Sequence, residues 1–322
     1  MLPEGYTLRN LLGAIRHPER FREEYYRRKE DVYRRALEVN GRYYRWRRPD
    51  DGVAVMDADW DNLLILDACR PEYLEEYVPD DWTVERRRSQ APESREFMRR
   101  NFEGDRHHDT VYVTANPYAF ELPTDLFHAR RLLLDTHWNE DHRTVLPGDV
   151  VAAAREAATA YPYKRLIVHF MQPHFPFLGP TGRTFDHEGI EIHLPRKERD
   201  EAPDPWRRQM FVGDVGHERL LRAYRENHEF VVPHVRDLIE ALGGRTVVTA
   251  DHANLVGEWT LPVPLRTYGH PEGLHKDELL TVPWVTFEGR RRRIETGPPV
   301  ASESATLDEP TVEDRLRDLG YA

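Results

Sequence analysis

Two carboxylates and an imidazole, each at the end of an apolar run, are the residues of this chain best suited to hold a divalent metal. Asp251-His252 closes the β-branched run Thr246 to Ala250, which follows Gly243-Gly244, and Asp67 closes the run that begins at Asn62. Each run reads as a buried strand of an α/β sheet, the first entered from a helix C-terminus. In open sheets of this kind ligands sit beyond the carboxyl ends of the strands, so Asp67, Asp251 and His252 would project into one crevice. Oxygen and imidazole donors suit Zn, Mn, Mg or Ca, as one ion or two. Taken singly, each has a plainer reading, a capping Asp and a loop His satisfied by the backbone.

The elements that must position these groups alternate. After Asp67, Pro71 can start a helix. Trp82 to Arg87 reads as a second strand, Arg95 to Phe102 as a helix with Phe97, Met98 and Phe102 on one face, and Thr110 to Asn116 as a third strand. An alanine-rich helix lies within Gly148 to Tyr161, a strand over Arg165 to Phe170, and a long helix over His217 to Leu242, broken or bent near Pro233. Val282 to Phe287 reads as a further strand, at an edge because of Pro283. Such alternation predicts a mainly parallel sheet with helices on both faces. Tyr118 to Pro147 is irregular and rich in histidine (His128, His137, His142), read as surface loop. From Gly179 to Phe211 no period is sustained, and a loop of that length is expected to cover the site and choose the substrate.

Residues 1–50 differ in texture and are expected to form an N-terminal helical arm, with residues 51–322 as the catalytic domain. Leu8 to Ile15 reads as one short amphipathic helix and Pro18 to about Val39 as a longer one ending before Gly41. The plainer reading packs this arm on the body. The sharper one takes Arg27-Arg-Lys29 and Tyr43-Tyr-Arg-Trp-Arg-Arg48 as a peripheral surface for an anionic lipid or a partner.

Composition bounds the function classes. The 322 residues carry 57 acids against 46 bases, a net charge of -11, and nearly all of the positive charge is arginine. That balance opposes a nucleic-acid-coating role and resembles salt-adapted archaeal proteins, in which surface charge favours solubility. Cys69 is the sole cysteine, which excludes an intramolecular disulfide and a cysteine zinc cluster. With no apolar run of membrane-spanning length and no secretory leader, a cytoplasmic protein is expected. Oligomeric state is not legible.

Five motifs stand in an order that resembles the alkaline phosphatase superfamily, in its sulfatase-like hydrolase/transferase branch. They are Leu64-Ile-Leu-Asp-Ala-Cys-Arg70, His169-Phe-Met-Gln-Pro-His-Phe-Pro176, Thr249-Ala-Asp-His-Ala-Asn-Leu-Val-Gly-Glu258, Tyr268-Gly-His-Pro271 and Val282-Pro-Trp284. The resemblance implies an alkaline-phosphatase-like three-layer α/β sandwich with a mixed, mostly parallel sheet, and Asp67, Asp251 and His252 as metal ligands. It also implies a nucleophile at the start of the helix after the second strand, where free amides and the helix dipole favour an anion. Aligning on the proline of the sulfatase Cys-x-Pro-x-Arg pattern puts Gln90 there, so Ser89 and Ser94 are both candidates, each with a turn or cap as its plainer role.

Cys69, beside Asp67 and outside that pattern, does not resemble a formylglycine precursor, which favours phosphate over sulfate esters. His174 and His270 resemble substrate-contacting histidines, able to protonate a leaving oxygen or bind an equatorial one. Arg70 is a candidate oxyanion contact and His275 a candidate ligand or substrate contact, while Asp214 and His217 match a second metal site poorly and His169 is expected to face the core. The implied function is hydrolysis or transfer of a phosphate ester or phosphodiester on a small-molecule, glycan or lipid substrate. The alternative is an inactive homologue that binds a phosphorylated or sulfated glycan or lipid.

Overall fold

The computed structural model describes residues 18–47, 52–185 and 205–300, with 311, 315, 318 and 319. The expected helix over Leu8 to Ile15 lies outside them, as do residues 186–204 of the expected covering loop. The strands are β1 (Asn62–Leu66), β2 (Glu85–Arg88), β3 (His107–Thr114), β4 (Phe127–Leu132), β5 (Trp138–Asn139), β6 (Thr144–Val145), β7 (Arg165–Phe170), β8 (Thr246–Thr249), β9 (Leu255–Thr260), β10 (Leu265–Gly269) and β11 (Thr281–Phe287). The main helices are α1 (Pro18–Arg47), α2 (Ser94–Phe102), α3 (Pro147–Ala160) and α4 (His217–Ala241).

Among the described residues seven strands form one sheet in the order β2-β11-β8-β1-β7-β3-β4, mostly parallel, with β11 antiparallel to both of its neighbours. Side-chain alternation splits the core into two layers. On one face Leu64, Leu66, Val168, Phe170 and Val248 pack with Val150 and Ala154 of α3 and Val231 and Val235 of α4. On the other, Leu63, Ile65, Tyr112 and Ile167 pack with Phe97, Met98 and Phe102 of α2. Burial of both faces explains why β1 and β8 show no alternation between buried and exposed positions. This is the expected three-layer sandwich.

Several elements differ from the sequence reading. The second strand is only Glu85–Arg88. β11 is not an edge strand: β2 covers it, and Pro283 lies one residue beyond the β8 ladder, which stops at the Trp284↔Thr249 pair, so the missing N–H breaks no β8 hydrogen bond. The stretch read as irregular supplies β4, the far edge of the sheet, where alternation in Phe127-His-Ala-Arg-Arg-Leu132 is blurred by two arginines. Helix α4 runs through Pro233 without a break, and α1 continues past Gly41. Short helices at Pro180–Arg183 and Pro205–Phe211 occupy both described ends of the Gly179–Phe211 segment.

Candidate metal centre

Strand β1 ends at Leu66 and β8 at Thr249, paired side by side and parallel, so the residues that follow them leave the same sheet edge together. Asp67, Asp251 and His252 are fully buried there, and one ligand atom from each lies within 4.8 Å of the others, the one such group among the described residues. A sharp turn sets the first ligand. Ala68 takes a left-handed φ of 56°, rare for a residue with a side chain, and is held by its amide to Asp251 Oδ1 at 3.1 Å and by its carbonyl to the Tyr224 hydroxyl. The Asp67 carboxylate also accepts from Asn116 Nδ2 at 2.7 Å.

The protonation pattern favours a cation. His252 Nδ1 meets the Ala253 carbonyl at 3.0 Å, which makes Nδ1 the protonated nitrogen. Its Nε2 therefore faces the group, 3.6 Å from Asp67 Oδ1 and 3.5 Å from Asp251 Oδ2, and although burial opposes its charge the two carboxylates push the imidazole pKa up. Three acceptors converging in a buried space need a proton or a metal. Burial and the Asp251 charge push the Asp67 carboxyl up. Burial opposes ionisation of Asp251 as well, but His252, His169 and the Ser94 hydroxyl hold that carboxyl below its ordinary range. Buried carboxylates this close, with imidazoles beside them, fit a divalent ion.

Ser94 enters the same group. Its Oγ lies 2.6 Å from Asp251 Oδ2, 3.2 Å from Asp67 Oδ2 and 3.3 Å from His252 Nε2. Ser89 does not: its hydroxyl donates to the Asp251 carbonyl and accepts from the Ala91 amide, a turn role. Gln90, the position reached by aligning on Pro92, reaches toward the Gly52 carbonyl. Ser94 opens α2, but the first-turn amides expected to be free are not. The Glu93 carboxylate accepts from Arg95 N at 2.8 Å and Glu96 N at 2.7 Å, so it already spends the anion-binding capacity of that helix end.

The histidines divide. His270 stacks on His252 at 4.5 Å between ring centroids, and His174 meets His270 edge-on at 4.9 Å, so three imidazoles stand in a row. Asn254 Oδ1 orients His270 through Nδ1 at 3.1 Å, and burial with the neighbouring His252 and His174 charges holds its imidazole well below the usual range. His169, expected to face the core, is buried but turned to the ligands. Its Nδ1 is 2.9 Å from the Tyr112 hydroxyl and its Nε2 is 3.6 Å from Asp251 Oδ2. Sequence reasoning missed it and Asn116, though His169 lies near the carboxyl end of β7, next to β1, and Asn116 just beyond that of β3, on the far side of β7.

Other candidates are engaged elsewhere. Arg70 is bound by Glu72, by Glu258 at 2.6 Å and by the Asn254 carbonyl at 3.0 Å, so its charge is neutralised beside the site. His275 bonds Glu96 at 3.1 Å and the Gly273 carbonyl at 3.2 Å, and it is not among the converging ligands. Asp214 pairs with Arg208, and no second metal group forms among the described residues. Burial raises the Cys69 thiol well above its ordinary pKa, which suits a packing role.

No protein-family model matches this chain, and no curated protein matches it in sequence. Solved structures similar to it include the C-terminal periplasmic domain of EptC from Escherichia coli in complex with Zn (12% identity, 71% of this chain and 72% of that one, TM-score 0.46). Others are the integral membrane lipooligosaccharide phosphoethanolamine transferase A from Neisseria meningitidis (11%, 71% and 47%, 0.44) and a phosphonate monoester hydrolase from Silicibacter pomeroyi (14%, 80% and 72%, 0.37). The chain thus spans about half (47%) of the Neisseria protein. These proteins belong to the sulfatase-like branch of the alkaline phosphatase superfamily, the branch the motifs resemble.

Proposed function

We propose that this protein is a metal-dependent enzyme that transfers or hydrolyses a phosphoryl group of a phosphate ester or phosphodiester through a covalent Ser94 intermediate. One observation carries the reading: a serine hydroxyl at a helix start lies within hydrogen-bond reach of two buried carboxylates and an imidazole nitrogen. A divalent ion held by Asp67, Asp251 and His252 would lower the pKa of the Ser94 hydroxyl and offset charge on the phosphoryl oxygens. Ser94 Oγ, its proton passed to the adjacent carboxylates, forms the new O–P bond as the bond to the leaving alcohol breaks. Water or a second alcohol then cleaves the seryl phosphoester.

His174 and His270 would serve the transferred group. Each has Nδ1 against an oxygen acceptor, the Phe175 carbonyl at 2.5 Å and Asn254 Oδ1 at 3.1 Å, so Nε2 is the atom that exchanges a proton with substrate or leaving group. Because Glu93 occupies the first-turn amides, oxyanion stabilisation falls to the cation and these imidazoles. The alternative of a binder without turnover drew on Gln90 at the nucleophile position, and Ser94 at the ligand group supplies the missing hydroxyl. The test is a panel of phosphomonoester, phosphodiester and sulfate-ester substrates with Mn, Zn, Mg and Ca. Ser94→Ala should lose turnover about a thousandfold or more while still binding metal, and wild type should trap one phosphoryl group on Ser94 by mass. Full activity in Ser94→Ala would refute the assignment.

A further inference from the structure

The hairpin β9–β10 has its base in the metal centre and its tip in solvent. Asn254 precedes β9 and His270 follows β10, while Glu258 within β9 holds Arg70. From Trp259 to Leu265 the sequence reads Trp-Thr-Leu-Pro-Val-Pro-Leu, seven residues without a charge. Trp259 is 62% and Leu261 49% exposed, and Pro262 and Pro264 are exposed with them. A hairpin tip in water gains nothing from such residues, and clustered exposed apolar side chains mark a surface that is covered in use.

The carboxyl half of α1 lies against this tip. Asn40 Nδ2 donates to Thr260 Oγ1 at 2.9 Å and to the Val263 carbonyl at 2.8 Å, and its Oδ1 accepts from the Val263 amide at 2.8 Å. Ala36, Asn40 and Gly41 are the buried side of this part of the helix, whereas Val39, Arg42 and Trp46 are exposed, Trp46 at 83%. Residues 41–47 carry three arginines, three aromatic residues and no acid. In a chain of net charge -11 this local excess of positive charge stands out, and it lies beside the uncharged tip.

Apolar wedge, exposed tryptophans and arginines without acids are together the chemistry of a protein that sits on an anionic lipid surface. We infer that the β9–β10 tip and the carboxyl end of α1 form a membrane-docking surface, with Trp259 and Leu261 entering the interface and Arg42, Arg45 and Arg47 meeting anionic headgroups. The contact inferred is a peripheral one, and no helix among the described residues is long and apolar enough to cross a membrane. The tip stands roughly 15–20 Å from the site by strand rise. A docked tip would therefore hold the metal centre near the headgroups, and the docking itself does not depend on the reaction proposed above.

Cosedimentation with vesicles tests this. Wild type should bind vesicles rich in phosphatidylglycerol and not vesicles of phosphatidylcholine alone, with binding falling as salt rises. The double variant Trp259→Ser/Leu261→Ser should partition at least about tenfold less, and Arg42→Ala about fivefold less with a shallower salt dependence. Both should keep the wild-type melting midpoint and metal-dependent turnover of a soluble ester, which separates lost docking from lost folding. Failure to bind anionic vesicles, or equal binding to phosphatidylcholine, overturns the inference. So does a wild-type dimer in solution that the hairpin variant converts to monomer, because a second copy of the chain would then be the occupant.

Discussion

Strand β1 carries a fully buried aspartate at each end, and the two have opposite surroundings. Asp61, just before the strand, accepts from the Arg245 amide at 2.7 Å and forms an ion pair with Arg291 at 2.9 Å, while Arg292 bonds its carbonyl at 2.7 Å. Asp67, just after the strand, sits with Asp251, His252, Ser94 and Asn116. A buried carboxylate matched by guanidinium is a structural device, its desolvation offset within the chain. One matched by another carboxylate and by imidazole nitrogens is offset only by a cation or a proton. The sequence-local pattern of aspartate beside an apolar run is the same in both, so the neighbours decide the role.

The largest expected effect follows from removing the second kind. Asp251→Ala should abolish metal binding by calorimetry and cut turnover by several powers of ten, whereas Asp61→Asn should leave metal affinity unchanged. An Asp251→Ala protein that keeps both metal and activity would overturn the assignment of the centre. Next in size is the response to the ion itself. At about a thousand times its dissociation constant, metal should stabilise wild type and Asp61→Asn by about 4 kcal/mol and Asp251→Ala by almost nothing, read as a shift in urea midpoint.

Asp61→Asn should in turn cost about 1–3 kcal/mol without metal, the penalty of weakening a buried hydrogen-bonded pair. An unchanged urea midpoint would mean that its arginines find water as readily. His228 is a third case, a buried ionisable group with neither guanidinium nor metal to meet it. Burial, with help from the Arg70 and Arg225 charges, lowers its pKa from 6.5 to about 3. The folded state therefore binds fewer protons than the unfolded one between those values, and stability falls as pH drops through that window. From pH 6.5 to 5 the loss is about 2 kcal/mol. Replacing His228 with Phe, which keeps a ring against Tyr73 and Tyr224, should flatten that part of the pH–stability curve. An equally steep curve in the variant would assign the acid sensitivity to other groups.

The amino-acid sequence by itself determines whatever local pattern encodes. Apolar runs that stop on Asp67 and on Asp251-His252 are strands with a polar end whatever their neighbours, and the two runs do pair in parallel and bring those side chains within 4.8 Å. Alternating strand and helix periods likewise implied a sheet buried on both faces. Tertiary structure alone decided the rest, because it concerns which groups meet across long sequence separations. Ser89 and Ser94 share a short polar stretch and a residue type, yet only Ser94 turns its hydroxyl to the carboxylates. His169 looks like a core residue in its apolar run until β7 places it beneath Asp251. Pro283 signals an edge, but the sheet adds β2 outside it and ends β8 one residue short of it. Hydrophobic periodicity reports burial along one segment, and a site is made of contacts between segments.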